Sequence, residues 1–211
     1  MSRNAPTKRQ EQAEETRRRL FQAAMDLLVK KGYDRVTVDD ICARAGVSKG
    51  TFYHHFKSKD QAIVEEFLKI DCYYREVLPQ LAEVRELEER MALFCRLTLR
   101  YIREKGKNMI KVAYGSQIAP SRRASPVASR QRELYAIVEG MIREAQLRGE
   151  ARGDLSSMEL AETVIRCIRG LVYDWCLQDG RFDLEEAGEA MIRVLAEGLR
   201  AKPKAKGRGK A

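Results

Sequence analysis

The chain has 211 residues, of which 44% are apolar and 34% are charged. This composition is too polar for a membrane protein and too apolar for a disordered chain, so we expect a folded core. The net charge is +9: residues 1–60 carry 13 basic and 8 acidic side chains, residues 61–199 carry 21 and 23, and residues 200–211 carry 6 and none. The excess positive charge lies at the two ends of the chain and favours an anionic partner.

Several classes of protein are excluded by what the sequence lacks. It has no run of 18 apolar residues and no apolar N-terminal stretch, so we expect a cytoplasmic protein without a membrane partner. The five cysteines show no metal-finger spacing and the two histidines are adjacent, so we expect free thiols and no metal. A histidine-based catalytic triad would have to be built around that adjacent pair, and the sequence contains no phosphate-binding glycine loop. We therefore expect a protein that is not an enzyme and uses no cofactor.

Apolar residues recur at spacings of three and four in nearly every segment, which predicts an all-α fold of about nine helices. The first helix is expected over residues 16–31, after a flexible basic arm at residues 1–15. Two short helices should follow, the first capped by Thr37 and ended by Gly46, and the second capped by Ser48. Longer helices are expected near residues 60–79, 84–105, 108–118, 128–148, 156–177 and 184–200.

The two short helices around a tight turn form a predicted helix-turn-helix, which presents one helix to the DNA major groove. The turn is predicted at Gly46, where the backbone needs a positive φ. The apolar residues of both helices should form a small core with the first helix, namely Val38, Ile41, Ala45, Val47, Phe52 and Phe56. Their burial leaves these groups on the exposed face of the second short helix: Lys49, Gly50, Thr51, Tyr53 and His54. Such side chains can contact phosphates and base edges.

The segment Thr37–Lys59, TVDDICARAGVSKGTFYHHFKSK, closely resembles the N-terminal DNA-binding domain of the TetR family of transcriptional regulators. The turn glycine, the cap serine, Tyr53, Phe56 and Lys59 fall in register, and the resemblance covers about residues 16–64. It implies that Thr37 binds phosphate at a helix N-terminus and that Tyr53 and Lys59 contact backbone phosphates. The following residues form the DNA-binding set that it implies: Thr37, Ser48, Lys49, Gly50, Thr51, Tyr53, His54 and Lys59.

Some neighbouring positions leave alternatives open. Cys42 stands where the family commonly has alanine, and it is either a small buried residue or a redox sensor. His55 is either a packing or capping residue or a reader of bases. The basic side chains of Arg3, Lys8 and Arg9 either form an arm that reaches an adjacent groove or only keep the chain end soluble.

The last two predicted helices each carry an apolar stripe. The stripe residues are Leu160, Val164, Ile168 and Leu171 in one helix, and Leu184, Ala187, Met191, Val194, Leu195 and Leu199 in the other. The resemblance implies that these helices pair with those of a second subunit in a four-helix bundle. A two-fold homodimer would match a palindromic operator. The alternative is that both stripes face only the internal core.

The resemblance also implies that a small-molecule effector binds among the middle helices. Aromatic walls and a few polar groups are available there from Phe94, Thr98, Tyr101, Tyr114, Gln117, Tyr135 and Trp175. Apolar walls with sparse polar groups suit a hydrophobic or aromatic ligand. The alternative is that these side chains form plain core, and the sequence does not identify the effector.

We therefore expect three segments after the arm. Residues 16–60 should form the DNA-binding domain, residues 61–201 a helical effector-binding and dimerisation domain, and residues 202–211 a disordered basic tail. The expected function is that of a repressor that binds double-stranded operator DNA as a homodimer and is released by the effector. The alternatives are a helical enzyme, or an architectural protein, that uses the same DNA-binding module without an effector.

Overall fold

The computed structural model describes residues 7–33, 35–118 and 126–201. Across these ranges ten α-helices and one short 3-10 helix confirm the predicted all-α fold. The helices are α1 (Lys8–Lys31), α2 (Val38–Ala45), α3 (Lys49–His55), α4 (Lys59–Leu68), α5 (Ile70–Ala82), α6 (Leu87–Lys105), α7 (Lys107–Ile118), the 3-10 helix (Pro126–Ala128), α8 (Glu133–Leu147), α9 (Ser157–Leu177) and α10 (Leu184–Leu199). None of the described helices has the length and apolarity needed to cross a membrane. Arg3 and the predicted tail at residues 202–211 lie outside the described ranges.

Helix α1 begins at Lys8, well before the predicted start at residue 16, so the described part of the predicted flexible arm is mostly helical. The Thr7 hydroxyl accepts a hydrogen bond from the Gln10 N–H at 3.3 Å, and Gln10 Oε1 accepts one from the Thr7 N–H at 2.8 Å. This capping box satisfies two amide groups that a helix start leaves unpaired. Apolar spacing missed this extension because the first two turns of α1 face solvent and carry few apolar side chains.

The predicted fourth helix is divided into α4 and α5, which accounts for the additional helix. The break falls at Lys69, whose backbone keeps right-handed angles (φ −58°, ψ −18°) and whose N–H donates to Glu66 O at 3.3 Å. Neither glycine nor proline marks this position, so the sequence has no signal for it. Pro79 does not end α5, which continues to Ala82. Proline lies near the end of that helix, where few turns depend on the hydrogen bond that it cannot make.

The chain forms two compact units. The first contains the described residues up to Lys69 and those between Lys105 and Ala128, and the second contains Ile70–Glu104 and the described residues from Ser129 onward. In the first unit α4 and α7 both pack against α1. This unit is therefore larger than the predicted DNA-binding domain. A functional boundary near residue 60 stays a prediction.

The core of the first unit positions α3. Helix α1 packs against α2, and α2 against α3. Ile41, Ala45, Phe52 and Phe56 are buried there as predicted. Val38 and Val47, also expected in this core, are half-buried. The apolar faces thus hold α2 on α1 and α3 on α2, and the opposite face of α3 is left to solvent.

In the second unit α9 packs against α8 and α10, and α10 makes a close contact with α6 at Gly188. A Cβ atom built on Gly188 would lie 2.1 Å from Leu99 Cδ1 and 3.2 Å from Cys95 Sγ. Cys95 and Leu99 are fully buried, so neither can move aside into solvent. Glycine is needed here for the approach of the two helices.

We expect the substitution Gly188→Ala to lower the free energy of unfolding by about 1–2 kcal/mol, because overpacking forces neighbouring side chains off their preferred rotamers. Gly140→Ala in α8 is the matched control, since its Cβ would meet no atom within 4 Å. Alanine is the better helix former, so that control should gain about 0.5–1 kcal/mol. Urea unfolding of both variants measures the difference. Equal stabilities would contradict the close contact between α6 and α10.

Candidate nucleic-acid interface

The turn between α2 and α3 has the predicted geometry. Gly46 adopts φ 65° and ψ 41°, in the left-handed region that glycine enters without strain. The Gly46 N–H donates to Ala43 O at 3.4 Å, and the Val47 N–H donates to Cys42 O at 3.1 Å. These bonds satisfy carbonyl groups at the end of α2 and turn the chain directly into the cap of α3.

Ser48 and Thr51, both predicted to lie on or near the DNA-facing surface, form the N-terminal cap of α3. Ser48 Oγ accepts a hydrogen bond from the Thr51 N–H at 3.1 Å, and the two hydroxyl oxygens are 2.9 Å apart. Ser48 is exposed and Thr51 is half-buried. Their hydroxyl groups therefore stabilise the start of α3. A contact with DNA would have to use hydroxyl groups that are already engaged in this cap.

The remaining predicted groove residues lie together on one exposed face of α3. Lys49, Gly50, Tyr53 and His54 are exposed, with Tyr53 51% accessible. Successive members of this set are one, three and one positions apart in the sequence, and residues with this spacing lie on one side of an α-helix. Phe52, on the opposite side, is fully buried. The structure thus presents a cation, an open backbone position, a phenol and an imidazole on a single surface.

Thr37, the predicted phosphate-binding residue of α2, is engaged in a capping box. Its hydroxyl donates to Asp40 Oδ2 at 2.7 Å, its N–H donates to the same oxygen at 2.9 Å, and the Asp40 N–H donates back to the hydroxyl at 3.1 Å. These hydrogen bonds from Thr37 lower the pKa of Asp40. The start of α2 therefore already carries an anion, and a phosphate contact through Thr37 stays a prediction.

Lys59 has a structural role that the sequence did not reveal. Its Nζ donates to Tyr33 O at 2.8 Å and to Val36 O at 3.0 Å, and it lies 4.1 Å from the centre of the Tyr33 ring. These contacts tie the start of α4 to the loop before α2. Main-chain carbonyl groups have no residue signature, so spacing could not predict this contact. A phosphate contact by Lys59 would have to compete with it.

We expect Lys59→Met to lower the free energy of unfolding by about 1–2 kcal/mol, because it leaves the two carbonyl groups without their charged donor. Lys57→Met is the control, since Lys57 is exposed and lies only two residues earlier. Thermal or urea unfolding of the two variants is the measurement. A Lys59→Met variant as stable as the control, with a shallower salt dependence of DNA binding, would instead assign Lys59 to phosphate alone.

His55, half-buried at the end of α3, lies beside a contact that joins α3 to α1. Arg17 NH1 donates to His55 O at 3.2 Å, and its guanidinium carbon lies 4.5 Å from the centre of the Phe56 ring. Burial lowers the pKa of His55, and the nearby His54 and Arg17 lower it further. These surroundings favour the packing interpretation of His55 over that of a base reader.

The lowered pKa of His55 predicts that stability falls as the pH is reduced from 7.5 to 5.5. The unfolded histidine gains its proton near pH 6.5, above the pKa of the folded one, so acid favours the unfolded chain. The lowered carboxyl pKa values of Asp26 and Asp40 act only at lower pH. The melting temperature of His55→Gln should change less across this window than that of the unmodified protein. Parallel curves would contradict the assignment.

Cys42 fits the packing interpretation as well. It is buried, with Sγ 3.8 Å from Ser48 O, and burial raises its pKa, as does the charge of Asp39. Redox-sensing cysteines need a lowered pKa and access to solvent. Among the described residues no cluster of three histidine, cysteine or carboxylate side chains could hold a metal ion.

The predicted effector-binding residues are divided between the two units. Tyr114 and Gln117 belong to the first unit, where the Tyr114 ring packs edge-on against Phe67 with the ring centres 6.0 Å apart. The others belong to the second unit and are Phe94, Thr98, Tyr101, Tyr135 and Trp175. The seven predicted residues therefore do not share one compact unit, and the larger group of five lies in the second unit.

Within the second unit, the predicted effector residues of α6 are neighbours on one face. Phe94 and Thr98 are four residues apart and both are buried, and Phe94 packs on Tyr74 with ring centres 5.3 Å apart. Thr98 is 2% exposed, and its Oγ1 has no hydrogen-bond partner among the described residues. Buried hydroxyl groups are nearly always paired. The α6 face thus combines apolar walls with one unsatisfied polar atom.

The remaining aromatic residues of the second unit have contacts of their own. Tyr101 stacks on Tyr73 with ring centres 4.8 Å apart. The Tyr135 hydroxyl accepts a hydrogen bond from Arg169 NH1 at 3.1 Å. Trp175 is buried in α9. These contacts agree equally with a ligand site and with plain core, so the assignment stays a prediction.

The predicted dimer stripes separate into two groups. One group is buried within its own unit and consists of Leu160, Val164, Ile168, Leu184 and Leu199. The other group is half-buried or exposed and consists of Leu171, Ala187, Met191, Val194 and Leu195. The spacing of apolar residues alone does not distinguish the inner face of a helix from its outer face. Only the second group is free to form a subunit contact.

Comparison with known proteins agrees with this arrangement. The family described as "Bacterial regulatory proteins, tetR family" matches residues 20–65, and the one described as "Tetracyclin repressor-like, C-terminal domain" matches residues 85–199. The HTH-type transcriptional repressor BepR of Brucella suis is 22% identical over 200 residues, which cover 90% of this chain and 94% of BepR.

Two solved structures share the fold. Thermus thermophilus FadR in complex with lauroyl-CoA has a TM-score of 0.67 and 24% identity, covering 90% of this chain and 99% of that one. Bacillus subtilis FadR in complex with stearoyl-CoA has a TM-score of 0.69 and 20% identity, covering 87% of this chain and 99% of that one.

The family match over residues 85–199 spans more than half of the sequence, and the match over residues 20–65 contains the whole helix-turn-helix. The chain belongs to the TetR family of bacterial transcriptional regulators, with a helix-turn-helix for DNA binding.

Proposed function

We propose that the protein represses transcription by binding a palindromic operator as a homodimer, and that a small hydrophobic effector releases it. The observation that carries the proposal is the exposed face of α3. Lys49, Gly50, Tyr53 and His54 are exposed there, directly after the glycine turn that begins the helix. Such a face contacts phosphates and base edges when the helix enters the major groove.

The length of α3 supports a dimer. The helix has seven residues, so it reads only a few base pairs, and specific binding needs two half-sites. Helices α9 and α10 provide a surface for pairing, since the outer group of stripe residues is apolar and partly accessible. Val194, at 74% exposure, is the most accessible of them. Burial of this surface against a second copy would fix the separation of the two α3 helices.

The α6 face of the second unit supports the effector. The buried rings of Phe94 and Tyr74 pack together, and the unpaired Thr98 Oγ1 adds one polar atom, a composition that suits a hydrophobic ligand. The two solved relatives hold lauroyl-CoA and stearoyl-CoA. A long-chain acyl-CoA is therefore the ligand class to test first.

Fluorescence anisotropy with a duplex from the DNA flanking the protein's own gene tests the proposal. We expect saturable binding that competitor DNA of unrelated sequence does not remove, and at least a ten-fold loss of affinity with lauroyl-CoA but not with coenzyme A alone. Thr98→Val removes the hydroxyl at nearly constant volume, and it should weaken the response to lauroyl-CoA without changing DNA affinity.

The outcomes separate the parts of the proposal. Binding without sequence preference would favour the architectural alternative. Sequence-specific binding that no acyl-CoA changes would remove this ligand class and leave the DNA-binding function in place. The absence of any complex would contradict the proposed function as a whole.

A further inference from the structure

An exposed ion pair lies at the proposed DNA-binding surface. Lys49 Nζ, on α3, is 2.9 Å from the carboxylate of Asp39, on α2. The two side chains are 54% and 67% accessible, so the pair is in solvent and not part of a core. Lys49 belongs to the groove face, whereas Asp39 was not among the residues expected to affect DNA binding. The pair therefore places a negative charge where a nucleic acid would approach.

Asp39 and DNA can compete for the same ammonium group of Lys49. An ammonium group is a compact point charge, and a carboxylate that holds it competes with a DNA phosphate or a guanine acceptor for the same charge. The hydrogen bond to Asp39 raises the pKa of Lys49, so the ammonium stays charged and available for exchange. Exposed ion pairs are weak, so a well-placed acceptor can displace Asp39.

Asp39 also lies in the first turn of α2, beside Asp40. Helix N-termini attract anions through their free N–H groups and the helix dipole. A carboxylate there offsets this attraction and repels an approaching phosphate. Asp39 thus acts against anion binding at the start of α2 and at Lys49 together.

We propose that Asp39 is a specificity-determining residue, which holds Lys49 away from DNA until an operator base pair or phosphate in register displaces it. The inference rests on the proposed function. On DNA of unrelated sequence α3 makes only mobile backbone contacts, and none is placed well enough to replace the carboxylate. On an operator the helix is seated in the groove, and the fixed acceptor takes over Lys49. Asp39 therefore lowers affinity for unrelated DNA more than affinity for the operator.

The test compares Asp39→Asn with the unmodified chain on two probes, a random-sequence duplex pool and a duplex recovered from that pool by repeated selection. We expect the variant to bind the random pool at least three-fold more tightly and the selected duplex by a smaller factor, so that the ratio of the two affinities falls. Release of Lys49 should also steepen the salt dependence on the random pool by about 0.9 per contacting subunit.

Glu88→Gln is the matched control for net charge. Glu88 pairs with Arg200 at 2.8 Å on the surface of the second unit, and this substitution changes the charge by the same amount. Lys49→Gln supplies the second control. In a Lys49→Gln background, Asp39→Asn should no longer tighten binding to the random pool, because the ammonium that Asp39 withholds is gone.

Three results would overturn the inference. The first is that Asp39→Asn binds both probes with the same affinities as Glu88→Gln. Its effect could persist in the Lys49→Gln background, which would show simple repulsion of phosphate by Asp39. It could also weaken binding to the selected duplex, which would make Asp39 a residue that positions Lys49 for DNA. Failure of the unmodified chain to select any sequence would instead overturn the proposed function, and this inference with it.

Discussion

Replacement of Gly46 by valine is expected to destabilise the protein by about 2–3 kcal/mol and to remove specific DNA binding. The backbone at Gly46 has φ 65°, which a β-branched residue avoids because its Cβ clashes with the neighbouring carbonyl group. An added Cβ would lie 3.6 Å from Arg19 NH2, an ordinary contact, so the cost comes from backbone conformation and not from crowding. A turn relaxed to negative φ would change the angle between α2 and α3.

Gly50→Ala is the control for this prediction. Gly50 lies in α3 without positive φ, and its added Cβ would lie 3.7 Å from Ser48 Oγ. Alanine should therefore leave the stability unchanged or raise it by about 0.5–1 kcal/mol. Urea unfolding of both variants measures stability, and anisotropy of Gly46→Val and the unmodified chain with a selected duplex measures binding. If Gly46→Val unfolds at the same urea concentration as Gly50→Ala, the left-handed turn is not needed by the fold.

The second large effect is expected from charges on the outer face of α10. In the double variant Val194→Glu and Leu195→Glu, two carboxylates per subunit would face their symmetry mates across a two-fold contact. We expect a monomer that keeps its helix content, because Val194 is exposed and Leu195 is only half-buried in its own unit. Loss of the second half-site should weaken operator binding at least ten-fold, about 1.4 kcal/mol.

Leu147→Glu is the matched control, since Leu147 is 83% exposed on α8 and does not belong to either stripe. Sedimentation velocity gives the oligomeric state, and circular dichroism gives the helix content. A double variant that sediments as a dimer would place the subunit contact elsewhere. Leu199 is unsuitable for such a test because it is buried, so a charge there would disturb the unit itself.

The sequence predicted the helices and the turn well because their signals are local. The caps at Thr37 and Ser48 and the left-handed glycine at Gly46 each involve groups within a few residues of one another. The helical spacing of apolar positions then identified Phe52 as core and Tyr53 as surface. The same local signals missed the break between α4 and α5 at Lys69, because no glycine or proline marks that position.

Contacts between distant residues could not be predicted from spacing. The carbonyl groups that bind Lys59 lie 23 and 26 residues earlier in the chain and come from the main chain of Val36 and Tyr33. The pair of Asp39 and Lys49 depends on the angle between two helices. The division of the α9 and α10 stripes into inner and outer faces depends on which neighbour each face meets. In all three cases the missing information is the tertiary arrangement.

If α3 reads the base sequence of DNA as part of a two-fold dimer, the full chain should enrich one sequence from a randomised pool of duplexes. Sequencing of the bound fraction gives the result. We expect an inverted repeat whose half-site centres are about one helical turn or slightly more apart, roughly 34–36 Å in the simplest case. A bound fraction with the same base frequencies as the starting pool at every position would contradict it.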